Sequence, residues 1–489
     1  MKRTAAAVGA AGSVILCSVA ALVLAGTALG APDPAASPPR RGVLQQIAHH
    51  DELKEMLACP QCANLRQAVA AARGTDTPGA SWGVPHGAGG GGGGVGDDPA
   101  LIGDTDVLNY DLTLEIVPAT TTLSGTNVLT VRSLAAGGLA SMDIQLHAGF
   151  RVSSVTVDGV PASWTRPLAA TPQVMRVTMP TAKANGQQFT VSVSYGGVPV
   201  SGGFGSIVFT TQAGHPLVCT LSETRFAHTW WPVKENNNDK ATGDLKFIVP
   251  EAMTVASNGR LISEAAVPAA RKQFRWVTDY PTSPYLFAFG ATVYNRFSDT
   301  WNYTPLPPFD PSPISMPLEF FVYPQSDTQT LRDGWLRTNL MLTTLSDKFG
   351  PYPFSAEKYG IYQFAFGGGM EHQTMTGQGG GNPSEQFLTA HELGHQWWGD
   401  SVTCATWHDI WLNEGFATYS EAIWREFRPP GIGPIGLEGL QGLMAARRPQ
   451  SVNGSVYCFD ISSESRIFSS SFSYNKGAWV LHMLRHVMG

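Results

Sequence analysis

The sequence predicts an α+β chain of more than one domain: an N-terminal all-β domain followed by a mainly helical one. Hydrophobicity alternates with a period of two in successive runs between about Asp106 and Tyr323. Beyond Pro324, leucine and methionine recur instead at i, i+3 and i+4. A chain of 489 residues is also too long for one ordinary domain.

The first thirty residues stand apart from this pattern. Lys2 and Arg3 precede an apolar run from Ala5 to Leu29, and small residues surround Ala28-Leu29-Gly30-Ala31. Residues 1–30 are read as a signal peptide, with an uncleaved membrane anchor as the alternative for so long a run. No later apolar stretch is long enough to span, so the expectation is a secreted or periplasmic protein, free of the membrane after cleavage.

Residues 31–98 read as a linker or pro-region. Pro32, Pro34, Pro38 and Pro39 break regular structure, Leu44 to Arg73 has the pattern of one or two short amphipathic helices, and Gly89–Gly94 is an unbroken glycine tract. Cys59-Pro60-Gln61-Cys62 supplies only two of the four ligands of a structural zinc, so a local disulfide or two thiols is the simpler reading. An odd number of cysteines follows the leader, leaving at least one unpaired within the chain. Cys404 and Cys458 are expected to pair.

The all-β domain is assigned to residues 99–324. Tyr110–Ile116 and Thr190–Tyr195 alternate strictly, and runs at 126–132, 151–157, 245–249 and 317–323 lie between Gly, Pro and Asn turns. Its last strand is expected at Leu318–Tyr323. Residues 325–489 form the helical domain. A helix is expected over Thr328–Lys348, ended by Phe349-Gly350-Pro351, with a β segment near 359–366. A hydrophobic content of 43% supports sizeable cores. A net charge of −6, with no cluster of Lys and Arg, argues against a nucleic-acid partner.

The strongest chemical signal is His391-Glu392-Leu393-Gly394-His395. Asn382, Pro383 and Glu385 mark a helix start before it. Four residues are slightly more than one turn, so both imidazoles share a face and can hold one zinc ion per chain, with Glu392 beside them as general base. Chance alone would give the pentapeptide in about one chain in a hundred of this composition, and two histidines at that spacing could be an ordinary polar face. The third ligand a catalytic zinc needs is offered by Glu414, eighteen residues after His395, in a helix expected to run to about Phe427. The plainer reading of Glu414 is a first-turn carboxylate stabilised by the helix dipole.

His391-Glu-x-x-His395 with Asn413-Glu414-Gly415-Phe416-Ala417 resembles the aminopeptidase N family of zinc (gluzincin) metallo-aminopeptidases, in its secreted bacterial form. Gly368-Gly369-Met370-Glu371-His372 is similar to the family's G-x-M-E-N element, and Tyr474-Asn475-Lys476-Gly477-Ala478 to its Y-x-K-G-A element. Glu223, before Trp230-Trp231-Pro232, falls where the family's β-domain reaches the active site. The resemblance covers about residues 106–489. It implies a saddle-like β-domain, a thermolysin-like peptidase domain incomplete at its C-terminus, and removal of residues from peptides with a free N-terminus. It further implies that Glu371 and Glu223 bind the substrate ammonium, that Gly368 and Gly369 let an extended substrate lie alongside, and that Tyr474 donates to the oxyanion. Met370 and His372 are counted with the substrate site, His372 as no fourth metal ligand.

Three departures qualify the likeness. His372 stands where Asn is common, and Val233-Lys234-Glu235 where Cys-Lys-Asp is frequent. The chain also stops soon after Tyr474, so Trp479, Val480, Leu481 and Leu484 are expected to be exposed. A zinc endopeptidase with the same ligands and a metal-binding but inert protein are the competing readings. Oligomeric state and side-chain preference are not legible.

Overall fold

A computed structural model describes residues 103–379, 386–431, 435–449 and 453–488. Residues 1–30, read as a signal peptide, residues 31–98, read as a linker or pro-region with Cys59 and Cys62, and the expected helix-start residues Asn382, Pro383 and Glu385 lie outside the described residues.

The alternation at Tyr110–Ile116 becomes a strand, Thr105–Val117, that buries Tyr110, Leu112, Leu114 and Ile116 on one face. It pairs antiparallel with Thr122–Ser133 and parallel with Ala241–Pro250, at the centre of an eight-stranded sheet. A four-stranded sheet (Ile207–Gln212, His215–Thr220, Phe289–Thr292, Thr254–Ser257) and a three-stranded one (Leu139–Gln145, Val174–Lys183, Trp164–Thr165) complete the β-rich part. Their inner faces meet in one core around Trp230, Trp231, Phe247, Trp276, Phe287 and Phe289.

The domain division expected at residue 324 falls inside a further sheet. Its order is Asn295–Tyr303, Ile314–Val322, Tyr359–Gln363, Met375–Gln378 and Gly369–Met370. Ile314–Val322 pairs in parallel with Tyr359–Gln363, and Trp301, Met316, Leu318 and Phe320 pack with the helices, not with the β-rich core. The sheet that packs on the helices thus starts at Asn295. Alternation reports that a strand is half-buried but not which sheet it joins, and parallel pairing needs a distant partner.

The crossover between those parallel strands is the expected helix over Thr328–Lys348, which is in fact two. Gln329–Leu336 is capped by the Thr328 hydroxyl, which accepts from the Leu331 amide at 3.2 Å, and Thr338–Phe349 follows after Arg337. Gly350 ends the second at φ 94°, as the sequence predicts.

Two further expectations are corrected. Cys404 and Cys458 are free thiols, as is Cys219. The Cys458 sulfur instead donates to the Asp460 carbonyl at 3.2 Å, and Cys404 is packed into the β-rich core. The last helix, Gly477–Met488, buries Val480 and Leu481 and half-buries Trp479 and Leu484 against the second core, because it docks on Ile410–Phe427. Its exposed apolar side chains are Met483, Val487 and Met488. No helix among the described residues is long and apolar enough to cross a membrane.

Candidate metal centre and substrate site

Three helices build the site, and glycines set how closely they approach. A Cβ on Gly394 would come within 2.7 Å of the Ser420 Cβ, so the helix Gln386–His395 lies tight against Ile410–Phe427 only because residue 394 has no side chain. Gly415 and Gly477 do the same between Ile410–Phe427 and the last helix. A Cβ on Gly415 would sit 2.9 Å from the Gly477 carbonyl carbon. One contact brings Glu414 to the histidines, the other brings Tyr474 to Glu414.

Ala is the better helix former by about 1 kcal/mol, yet here its methyl would meet backbone that cannot rotate away. Gly415→Ala is therefore expected to lose about 1–2 kcal/mol net, since overpacking costs roughly 1–3 kcal/mol. Chemical denaturation measures it, and an unchanged or raised midpoint would contradict the tight approach.

The imidazoles of His391 and His395 lie with ring centroids 4.8 Å apart, both buried. His395 Nδ1 lies 3.2 Å from the Trp398 carbonyl, which can only accept, so Nδ1 carries the proton and Nε2 keeps a lone pair. His391 Nδ1 lies 3.1 Å from Glu421 Oε1, which fixes the same tautomer. Both free nitrogens face Glu414 Oε2, at 3.2 Å from His391 and 3.5 Å from His395. Ligands about 2.0–2.1 Å from a tetrahedral zinc stand roughly 3.4 Å apart, so these spacings fit one ion. Against burial, the charge of a protonated His395 and hydrogen bonds from protonated imidazoles bring the Glu414 carboxyl down to about 2, and a metal ion would take the place of those protons.

Around the triad, carboxylates converge. Glu223, Glu371, Glu392 and Asp400 are all buried. Burial pushes the Glu223 carboxyl well up, and the negative fields of Glu371, Glu414, Glu392 and Asp400 push it further. Glu392 rises to about 8 through burial, although both imidazoles oppose the rise. Oε1 of Glu223 and both carboxylate oxygens of Asp400 find no hydrogen-bond partner. So much buried acid calls for more than one positive charge.

Tyr474 lies in a π-helical turn, Ser470–Lys476, a geometry that re-aims side chains at functional sites. Its ring stacks on His391 at 5.8 Å and its hydroxyl bonds Glu414. Burial raises its pKa well above that of a free tyrosine, and Glu414 and Glu223 add to this, so it remains a donor. Gly369–Met370 is the edge strand of the five-stranded sheet. A Cβ on Gly369 would fall 2.6 Å from the Glu392 Cγ and collide with its carboxylate, so only glycine admits the base there. Gly368 takes φ 83° and Met370 packs inward. His372 is wholly buried, its Nδ1 3.2 Å from the Tyr362 hydroxyl, and burial takes its pKa to about 3. Its Nε2, equally buried, has no hydrogen-bond partner.

Four residues escaped the sequence reading. Glu421 orients His391 and is itself held by Arg447 at 2.5 Å; lying two turns beyond Glu414 on one helix, it was findable from spacing. Asp400 and Gln396 follow the metal motif closely, with nothing local to mark them. Asn413 donates to Glu371 Oε1 at 3.4 Å.

Two models of one peptidase family match the chain. Residues 107–286 match the peptidase M1 N-terminal domain and residues 382–489 the peptidase family M1 domain. Aminopeptidase N of Canis lupus familiaris is 27% identical over 298 residues, 55% of this chain and 29% of that protein. Leukotriene A-4 hydrolase of Xenopus laevis is 27% identical over 335 residues, 64% of this chain and 49% of that protein. The chain thus spans less than half the length of these relatives. A two-domain M1 zinc metallopeptidase mutant solved with L-tryptophan superimposes with a TM-score of 0.65 at 27% identity, covering 79% of this chain and 84% of that one. An M1 zinc metallopeptidase mutant from Deinococcus radiodurans, solved with a Tyr-Ser-Ala substrate, gives 0.63 at 26%, over 79% and 84%.

Proposed function

The chain belongs to the peptidase M1 family, and on that premise we propose that it is a zinc aminopeptidase, releasing residues singly from peptides with a free N-terminus. The observation that carries this reading is a three-ligand metal site with the buried acids Glu371 and Glu223 beside it, neither of which forms an ion pair with a Lys or Arg among the described residues. His391, His395 and Glu414 would hold the ion. Zinc, when bound, acidifies water and polarises a carbonyl.

Glu392 is the general base, taking a proton from the attacking water and returning it to the leaving amine. Tyr474 keeps its proton and hydrogen-bonds the oxyanion as the carbonyl carbon becomes tetrahedral. Glu371 and Glu223 receive the substrate ammonium as charge-assisted partners, a contact that an internal peptide bond cannot make. The edge strand Gly369–Met370, with Gly368 before it, gives the substrate backbone a strand to pair with. Export of the protein is proposed on the leader-like residues 1–30 alone.

The test is a free-amine aminoacyl amide against its N-acetylated twin. Losing hydrogen bonds to charged acids costs roughly 1.5–3 kcal/mol each, so kcat/KM should fall at least about 100-fold on acetylation. Equal rates would mean an endopeptidase and would sink the proposal.

A further inference from the structure

The acid Glu371 and the metal ligands come from separate elements, yet an aminopeptidase must hold them at one fixed separation. The hydrogen bonds around Gln396, the residue after His395, show how that is done. Its Nε2 donates to the Glu371 carbonyl at 3.1 Å. Its Oε1 accepts from the Thr374 amide at 2.9 Å and from the Tyr352 hydroxyl at 3.1 Å. The side chain is fully buried, with both ends of the amide used.

The far side of the same turn is fixed by the β-rich part. Asn258 Nδ2 donates to the Gln373 carbonyl at 2.7 Å, the Gly259 amide donates to the Thr374 hydroxyl at 2.8 Å, and Gln373 Nε2 donates to the Thr282 hydroxyl at 2.8 Å. Lys358 Nζ donates to the Thr374 carbonyl at 3.1 Å. Residues 371–374 are thus held between the β-rich core and the end of the metal helix, where Gln396, the residue after His395, bonds both Glu371 and Thr374.

We propose that Gln396 is a positioning residue that sets the location of Glu371 relative to the metal, and with it the preference for a free N-terminus. This rests on the aminopeptidase reading above. Gln396 is wholly buried and its amide is taken up by Glu371, Thr374 and Tyr352. It acts through the turn that carries Glu371, while Asn413, one residue before Glu414, steadies the carboxylate itself. A buried amide making three hydrogen bonds also has a plain structural role, so stability alone cannot distinguish the two roles.

Selectivity can. The measured quantity is kcat/KM for an aminoacyl amide divided by kcat/KM for its des-amino twin, in the full chain with zinc content determined. Wild type, Gln396→Ala, Glu371→Ala and the double variant form a cycle. Gln396→Glu, which keeps the shape but places an acceptor against the Glu371 carbonyl, covers the event that the alanine variant does not fold. Expected are a fall in the selectivity ratio of roughly 10-fold or more in either Gln396 variant, carried by KM, with zinc still bound, and a double variant no less selective than Glu371→Ala. If both substrates suffer equally, or the two substitutions multiply independently, Gln396 is structural only and the proposal is wrong. A wild type without amine selectivity overturns this inference together with the functional reading, whereas a selective wild type matched by a selective Gln396→Ala overturns this inference alone.

Discussion

Glu392→Gln is expected to lower kcat by about 1,000-fold or more while leaving one zinc per chain. General base catalysis is worth roughly 100- to 10,000-fold, and here no other carboxylate can take over the role. Glu371 lies near, but it is held by Asn413 and by the clamped turn, and Glu414 is engaged by both imidazoles. Glutamine fills the same space against Gly369, where the carboxylate already leaves no room for a methyl group. Packing and metal affinity should therefore survive and only proton transfer be lost. Single-turnover rates with parallel metal analysis give the answer. A variant within tenfold of wild type would remove Glu392 from the mechanism.

The second large effect is on the metal. Glu414→Ala should weaken zinc binding by about 100-fold and abolish turnover at micromolar protein. Binding of a structural zinc by four ligands is worth roughly 10–16 kcal/mol, or about 3 kcal/mol for each. Glu421 is no substitute, because it is committed to His391 Nδ1 and Arg447. Competition with a chromophoric chelator measures the loss, and wild-type affinity would mean that the triad is not the metal site. Glu421→Gln, by contrast, keeps an acceptor near His391 Nδ1 and should cost less.

What the sequence disclosed and what it hid follow from the range of the interactions concerned. His391, Glu392 and His395 are separated by one helical turn, so spacing alone places them together. Glu414 could be reached from its interval after His395 and the helix expected around it, whereas Tyr474 was legible only because its surroundings resemble a known family. The Gly415–Gly477 approach that joins them is a contact between residues far apart in the chain, and neither glycine announces it. The strand at 314–322 was found, as a run over 317–323, but the sheet it joins was not, and 295–303 was not singled out at all, since half-burial looks alike in either sheet. Gln396 shows the same limit: a buried glutamine beside a ligand is unremarkable until its three partners are seen. The cysteine pairing failed because sequence spacing carries no information on which way two thiols face.

The glycine contact between the last two long helices also divides the machinery along a seam. Every group from Glu223 to Glu421 lies on one side of it, and Tyr474, with the Arg447 that holds Glu421, comes from the chain beyond. A single backbone nick between residues 428 and 469 would yield two fragments, the larger able to capture zinc yet nearly silent toward peptides. Adding back the smaller should restore hydrolysis wherever the two glycines can still meet.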